Sequence, residues 1–211
     1  MTDIVISAHN EESTIAQIVS ACKSGGTGWV IVVCDDCTDN TANAAKGADV
    51  VLEISAHDKG SAMAAGLEHV LAPHVLFCDA DLIDLSPYIV TILCELGPKD
   101  GQVVGLTESM INKWSKFGLP PITGERRLPT EFARTIPMAG QGYKVELVID
   151  AAVGKAGLPH RTILMNGVKN PTRVYEDPVG WSAMWADLGI TSLKYLPDLV
   201  RFTVTNPRSV G

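Results

Sequence analysis

What most constrains this chain is the alternation, over its first hundred residues, of very short apolar runs with helical stripes. Residues 4–7, 29–33, 50–54 and 75–78 are runs of four or five mostly apolar residues, the length of buried strands rather than of helices. Between them Ile15, Ile18, Val19 and Cys22 recur at i, i+3, i+4 and i+7, with Asn10 as a candidate cap and Gly25 and Gly26 as a stop. Residues 38–46 can form a short helix, and Met63, Leu67, Val70 and Leu71 mark a further stripe. Pro87 stands where a helix over 86–96 would begin, and its missing N–H is harmless in a first turn. Strands that are apolar throughout and alternate with helices mean βαβ units, a mostly parallel sheet and helices on both faces.

Sheets of that kind bind ligands beyond the carboxyl ends of their strands. The rule selects residues 7–12 after the first strand, 35–39 after the second and 79–81 after the fourth, three acidic loops on one edge. Asp79-Ala80-Asp81 offers two hard oxygen ligands to Mg2+ or Mn2+, ions that complete their shells with water and phosphate oxygens. Two aspartates at a strand end are common in isolation; their shared edge with the other acidic loops gives them weight. The charge is divided to match. The first 112 residues hold 4 Lys/Arg against 16 Asp/Glu, the remainder 13 against 8, within a net charge of -7. An acidic first half suits a cation, and a basic second half suits an anionic ligand.

Four segments resemble family 2 glycosyltransferases, which have the GT-A nucleotide-sugar fold. They are residues 4–12 with their Asn10-Glu11-Glu12 loop, residues 32–42 with Asp35, Cys37, Thr38, Asp39 and Thr41, the Lys59-Gly60 segment, and residues 77–82 around the aspartate pair. Thr123-Gly124-Glu125-Arg126-Arg127 and residues 140–147, including Gly142-Tyr143 and Glu146, are similar to a subset of that family, the glucosyl- and mannosyl-3-phosphoglycerate synthases, and more distantly to polyprenyl-phosphate sugar transferases.

The resemblance implies a single GT-A domain over 1–211, with a nucleotide-sugar and metal half over 1–105 and an acceptor half over 106–211. It implies donor-nucleotide contacts from Ala8, Asn10, Glu11, Asp35, Lys59, Gly60, Asp79 and Ala80. Asp81 and Asp79 would hold Mn2+ or Mg2+, Arg126, Arg127, Gly142 and Tyr143 would bind the acceptor, and Glu146 or Glu125 would serve as a base. Each has a plainer alternative: Glu11 as a helix-dipole partner, Glu146 as a solvated helix residue, Arg126 and Arg127 as surface charge, Asp39 as a cap or turn aspartate. The pattern departs from those synthases at residues 167–172, where a metal-binding histidine is replaced by Lys169-Asn170-Pro171; Asn170 or water would take its place. His160 reads as a surface or loop residue.

The expected reaction is metal-dependent transfer of a hexosyl unit from a UDP- or GDP-linked sugar to an anionic acceptor. That acceptor is a phosphorylated small molecule, a lipid phosphate or a modified DNA base, and a homodimer is the expected assembly. The acidic, glycine-free loop after the first strand argues against a nucleotidyltransferase, and the intact aspartate pair argues against a non-catalytic nucleotide-sugar-binding module. No apolar run is long enough to cross a bilayer. No signal-like segment precedes the first strand, and five cysteines read as buried small hydrophobes, which together imply a cytoplasmic setting.

Overall fold

The computed structural model describes residues 1–108 and 123–170. Within them the expected βαβ alternation is present: β1 (Thr2–Ala8), α1 (Ile15–Gly25), β2 (Val30–Asp35), α2 (Thr41–Ala44), β3 (Val50–Ile54), α3 (Lys59–Glu68), β4 (His74–Asp79) and α4 (Pro87–Glu95). There follow β5 (Gln102–Leu106), β6 (Arg126–Pro129), α5 (Thr130–Ala133), a 3-10 turn (Gly142–Lys144), α6 (Val145–Ala156) and β7 (His160–Leu164). The seven strands form one sheet in the order β3-β2-β1-β4-β6-β5-β7, parallel except for β6, which runs antiparallel to both of its neighbours.

Two apolar layers hold the helices to this sheet. On one face Ile4, Ile6, Val30 and Val32 pack with Ile15, Ile18 and Cys22 of α1 and Val90 and Leu93 of α4. On the other, Val5, Ile31, Val33 and Phe77 meet Met63 and Leu67 of α3 and Val145, Val148 and Ile149 of α6. Strands β1 and β2 are therefore apolar on both faces, which is why they read as unbroken runs. At the sheet's amino end, buried Asp3 accepts backbone N–H bonds from Trp29, Leu71 and Ala72 at 2.8–2.9 Å, tying the entries of β1, β2 and β4 together.

Several expectations change in detail. Asn10 does not cap α1. Its Oδ1 instead accepts from the amides of Thr38 and Asp39, fastening the loop after β1 to the loop after β2, and Thr14 occupies the cap position. Leu71 lies beyond α3 and is exposed. His160 is the half-buried first residue of β7 rather than a loop residue, and burial, with Arg126 nearby, holds its imidazole down at about 4. Strands β5 and β6 were not anticipated. The sequence pattern gives a helix over 178–188 and a loop over 118–121, both of which lie outside the described residues. Among the described residues no helix is long and apolar enough to cross a membrane.

Candidate active site

The carboxyl ends of β1, β2 and β4 open onto one cavity of about 420 Å3. Ser7, Ala8, His9 and Glu11 line it from β1, Asp35 from β2, and Asp79, Ala80 and Asp81 from β4. The start of α3 adds His57, Asp58, Lys59 and Ala62, and the second half of the chain adds Gly142 and Tyr143. Parallel register sets this arrangement: Ser7 of β1 pairs with Asp79 of β4, and Ala8 with Cys34 of β2, so the three loops emerge side by side.

Lys59 is the electrostatic centre. Its Nζ lies 2.8 Å from Asp79 Oδ1 and 2.6 Å from Glu146 Oε1, joining the first half of the chain to α6. Burial alone would push this ammonium down, but the two carboxylates more than offset it and hold the lysine firmly charged. Among the described residues this one cation does not balance the carboxylates gathered here. Burial and the neighbouring Asp79 raise Asp81 to about 6. Burial, again with Asp79 and more weakly Asp81, raises Glu125 to about 8. Gly124 permits this crowding: a Cβ there would fall 2.1 Å from Asp79 Oδ1.

A divalent cation fits such a site. Asp79 and Asp81 supply hard oxygens at one strand end, inside a cluster whose negative charge exceeds its positive charge. Among the described residues no three His, Cys, Asp or Glu side chains are grouped to hold a metal unaided. An ion there would take its remaining ligands from water and ligand phosphates, as Mg2+ and Mn2+ commonly do. Asn170 follows Lys169, which bridges to Ile83 just past the aspartate pair, and its Oδ1 is buried with no hydrogen-bond partner.

The other expected residues divide clearly. Ala8, Glu11, Asp35, Lys59, Asp79, Ala80, Asp81, Gly142 and Tyr143 share the cavity wall. Asp35 has a second duty, because its carboxylate accepts from the amides of Ala56, His57 and Asp58 and shapes the turn into α3. Asp39 is a turn aspartate, accepting from Thr41 and from the Glu12 amide. Gly60 is a packing glycine, since a Cβ would sit 2.0 Å from the Met138 carbonyl oxygen. Glu146 is buried and reaches the cavity through Lys59, with Oε2 left without a partner.

Arg126 and Arg127 are corrected from acceptor-binding to structural residues. Arg126 is fully buried, paired with Asp150 through two nitrogens, while Arg127 donates to the carbonyls of Cys94 (3.0 Å) and Pro98 (2.7 Å) behind the sheet. Glu125 is corrected in the same way as a base candidate: it is fully buried, takes a short hydrogen bond from Thr123, and burial pushes its carboxyl up to about 8. Sequence reasoning missed Asp58. An aspartate just before Lys-Gly-Ser, where a helix begins, was the available signal.

The raised Glu125 carboxyl has a measurable consequence. Its folded-state value lies above its unfolded one, so its contribution to stability is complete below about pH 4.5 and is lost as pH rises through about 8. The metal-free protein should therefore lose on the order of 4 kcal/mol across that window. Thermal melts from pH 5 to 8.5 should slope downward, and Glu125→Gln should remove the part of the slope above about pH 6. A variant that keeps that slope would place the titration elsewhere.

Fold and cavity together define the class: an enzyme on the GT-A sheet, with its ligand site at the strand ends. Residues 3–106, just under half of the chain, match the family model described as Glycosyl transferase family 2, so that half carries the likeness to family 2 glycosyltransferases. The solved structures that resemble it include glucosyl-3-phosphoglycerate synthase from Mycobacterium tuberculosis in complex with Mg2+ and uridine diphosphate. That match has 21% identity and a TM-score of 0.75, over 92% of this chain and 79% of that one. The same enzyme with Mn2+, UDP-glucose and glycerol 3-phosphate matches at 21% identity and a TM-score of 0.73, over 92% and 79%. A mycobacterial protein matches at 22% identity and a TM-score of 0.75, over 92% and 74%. At these identities the likeness is one of fold. No curated protein sequence matches the chain significantly.

Proposed function

We propose that this enzyme moves a hexosyl unit from a UDP- or GDP-linked sugar to an anionic acceptor, with Mn2+ or Mg2+ held by Asp81 and Asp79. The observation that carries this reading is the convergence of Asp79, Asp81, Glu11 and Lys59 on one strand-end cavity. A metal bound there supplies Lewis-acid neutralisation of the charge that builds on the departing diphosphate. Lys59 adds a fixed positive charge beside Asp79. Glu11 and Asp35 face the nucleoside, and Tyr143 stands at the cavity mouth. Glu146 keeps one buried oxygen for a hydroxyl of sugar or acceptor, and it is the better base candidate if configuration is inverted; a retaining route needs none.

The relatives crystallised with UDP-glucose and with glycerol 3-phosphate favour a uridine donor and a small phosphorylated acceptor. With Arg126 and Arg127 withdrawn from acceptor binding, the basic second half still offers Lys113, Lys116 and Arg173, which lie outside the described residues. A single GT-A domain acting in the cytoplasm as a homodimer belongs to the same reading, and sedimentation of the full chain tests the assembly.

The test is thermal stability with UDP-glucose or GDP-mannose, with and without Mn2+. One nucleotide should stabilise the protein only with metal, by roughly 3 kcal/mol at a hundredfold excess over its Kd. Stabilisation by UTP or GTP with release of pyrophosphate would assign nucleotidyl transfer instead. No metal-dependent response to any of them would reject the proposal.

A further inference from the structure

Between α5 and the 3-10 turn the chain runs through a Gly- and Pro-bearing loop, yet its backbone is fastened at one point. Asp58 Oδ2 accepts from the amides of Ser61 at 2.6 Å and Gly140 at 2.9 Å, while Oδ1 accepts a short bond from the amide of Gly142. Ser61 Oγ also receives the Gly140 amide, at 3.2 Å. The Met138 carbonyl rests against Gly60, where no side chain could fit. Gly140 and Gly142 both adopt positive φ, 75° and 54°, and their amides converge on this carboxylate. Upstream, the Asp58 amide donates to Asp35 Oδ2 at 2.6 Å. A continuous chain of hydrogen bonds therefore runs from the end of β2, through Asp58, to the loop that leads into Tyr143 and α6.

We propose that Asp58 is a positioning residue, whose carboxylate latches the 138–142 loop onto the first turn of α3 and so fixes Tyr143 and Glu146 relative to a bound nucleotide sugar. This rests on the function proposed above. The latch is more than a helix cap. Capping α3 needs only the Ser61 amide, which one oxygen satisfies, whereas holding Gly140 and Gly142 requires both oxygens to accept. Asp58→Asn separates the two duties. Asparagine caps helices as well as aspartate does, but its NH2 would oppose one of the converging amides. Lys59 neighbours the latch in sequence and grips Glu146 on the far side of the loop, so loosening the loop misplaces the sugar-facing side of the cavity and leaves the nucleotide side intact.

The full chain with Mn2+ is the material for the experiment, comparing wild type with Asp58→Asn. Amide exchange over 138–144 should quicken at least about tenfold in the variant, with exchange in β1, β2 and α1 unchanged. The Kd for UDP or GDP should stay within about threefold. Hydrolysis of UDP-glucose or GDP-mannose, in which water accepts the sugar and the nucleoside diphosphate is released and measured, should lose about 10- to 100-fold in kcat with donor KM altered less than about threefold. Unchanged exchange in the loop would overturn the latch, and quickened exchange with unchanged kcat would overturn its positioning role. Quickened exchange throughout β1, β2 and α3 would reduce Asp58 to a structural residue. Failure of the wild type to bind either nucleotide would reject the proposed function, and the exchange comparison would still decide the latch.

Discussion

Asp81→Asn is expected to cut glycosyl transfer by about a thousandfold while making the metal-free protein more stable at pH 8. The two effects share one cause. Asp81 is largely buried beside Asp79, and its carboxyl is raised to about 6, so ionising it in the folded state is unfavourable. An amide of the same shape removes that penalty, which amounts to about 1–3 kcal/mol above pH 6. The same amide is a neutral and weaker partner for a hard divalent cation, and a thousandfold loss corresponds to about 4 kcal/mol of transition-state stabilisation. Melts without metal should move up, and melts with Mn2+ and nucleotide should lose their ligand-dependent increment. A variant that is destabilised without metal and keeps full metal-dependent binding would sink the assignment. Carboxylates that lower stability in the absence of their ligand are a familiar mark of functional sites.

The second large effect lies behind the site. Asp150→Ala is expected to destabilise the fold by about 3–5 kcal/mol, because it leaves the Arg126 guanidinium buried against an empty counter-charge. Arg126 and Asp150 are both fully buried, and Gln102 adds a 3.3 Å hydrogen bond to the same carboxylate. Replacing both partners, as Arg126→Met with Asp150→Leu, should recover most of the loss, since the pair returns little more than its own desolvation. Chemical denaturation of the three variants measures this directly. Equal destabilisation by the single and double changes would show that packing volume, rather than unpaired charge, controls the region.

The same pair shows where sequence reading stopped. Strands β1, β2 and β4 were legible because their central residues, covered on both faces, are apolar runs, and β3 reads from its Val50-Val51-Leu52 run. The cavity wall was legible for the related reason that parallel strands discharge their loops on one edge, bringing Glu11, Asp35, Asp79 and Asp81 together. Strand β6 begins Arg126-Arg127, and such a pair looks like a surface loop unless the partners are known. Those partners, Asp150 and the carbonyls of Cys94 and Pro98, lie 24 to 33 residues away in the chain. Their meeting is a property of tertiary packing, which no local pattern records. Glu125 was misjudged for the same cause: its residue type suits a base, and only its complete burial removes it. Asp58 was missed: its cap position before Lys59 offered a local signal, but its second duty involves glycines more than 80 residues downstream.

The antiparallel strand also determines how this protein can come into being. β6 lies between β4 and β5, and β5 has β6 and β7 as its neighbours, so the strand carrying Asp79 keeps one open edge until Arg126–Pro129 arrives. During synthesis, the first 106 residues can assemble β1 to β4, yet β5 must wait for strands that have not emerged. Closing the sheet then requires contacts of long sequence separation, which are slow to form and leave an apolar edge exposed meanwhile. The half of the chain that matches the family model thus carries an unpaired β4 edge until β6, from the second half, inserts between β4 and β5.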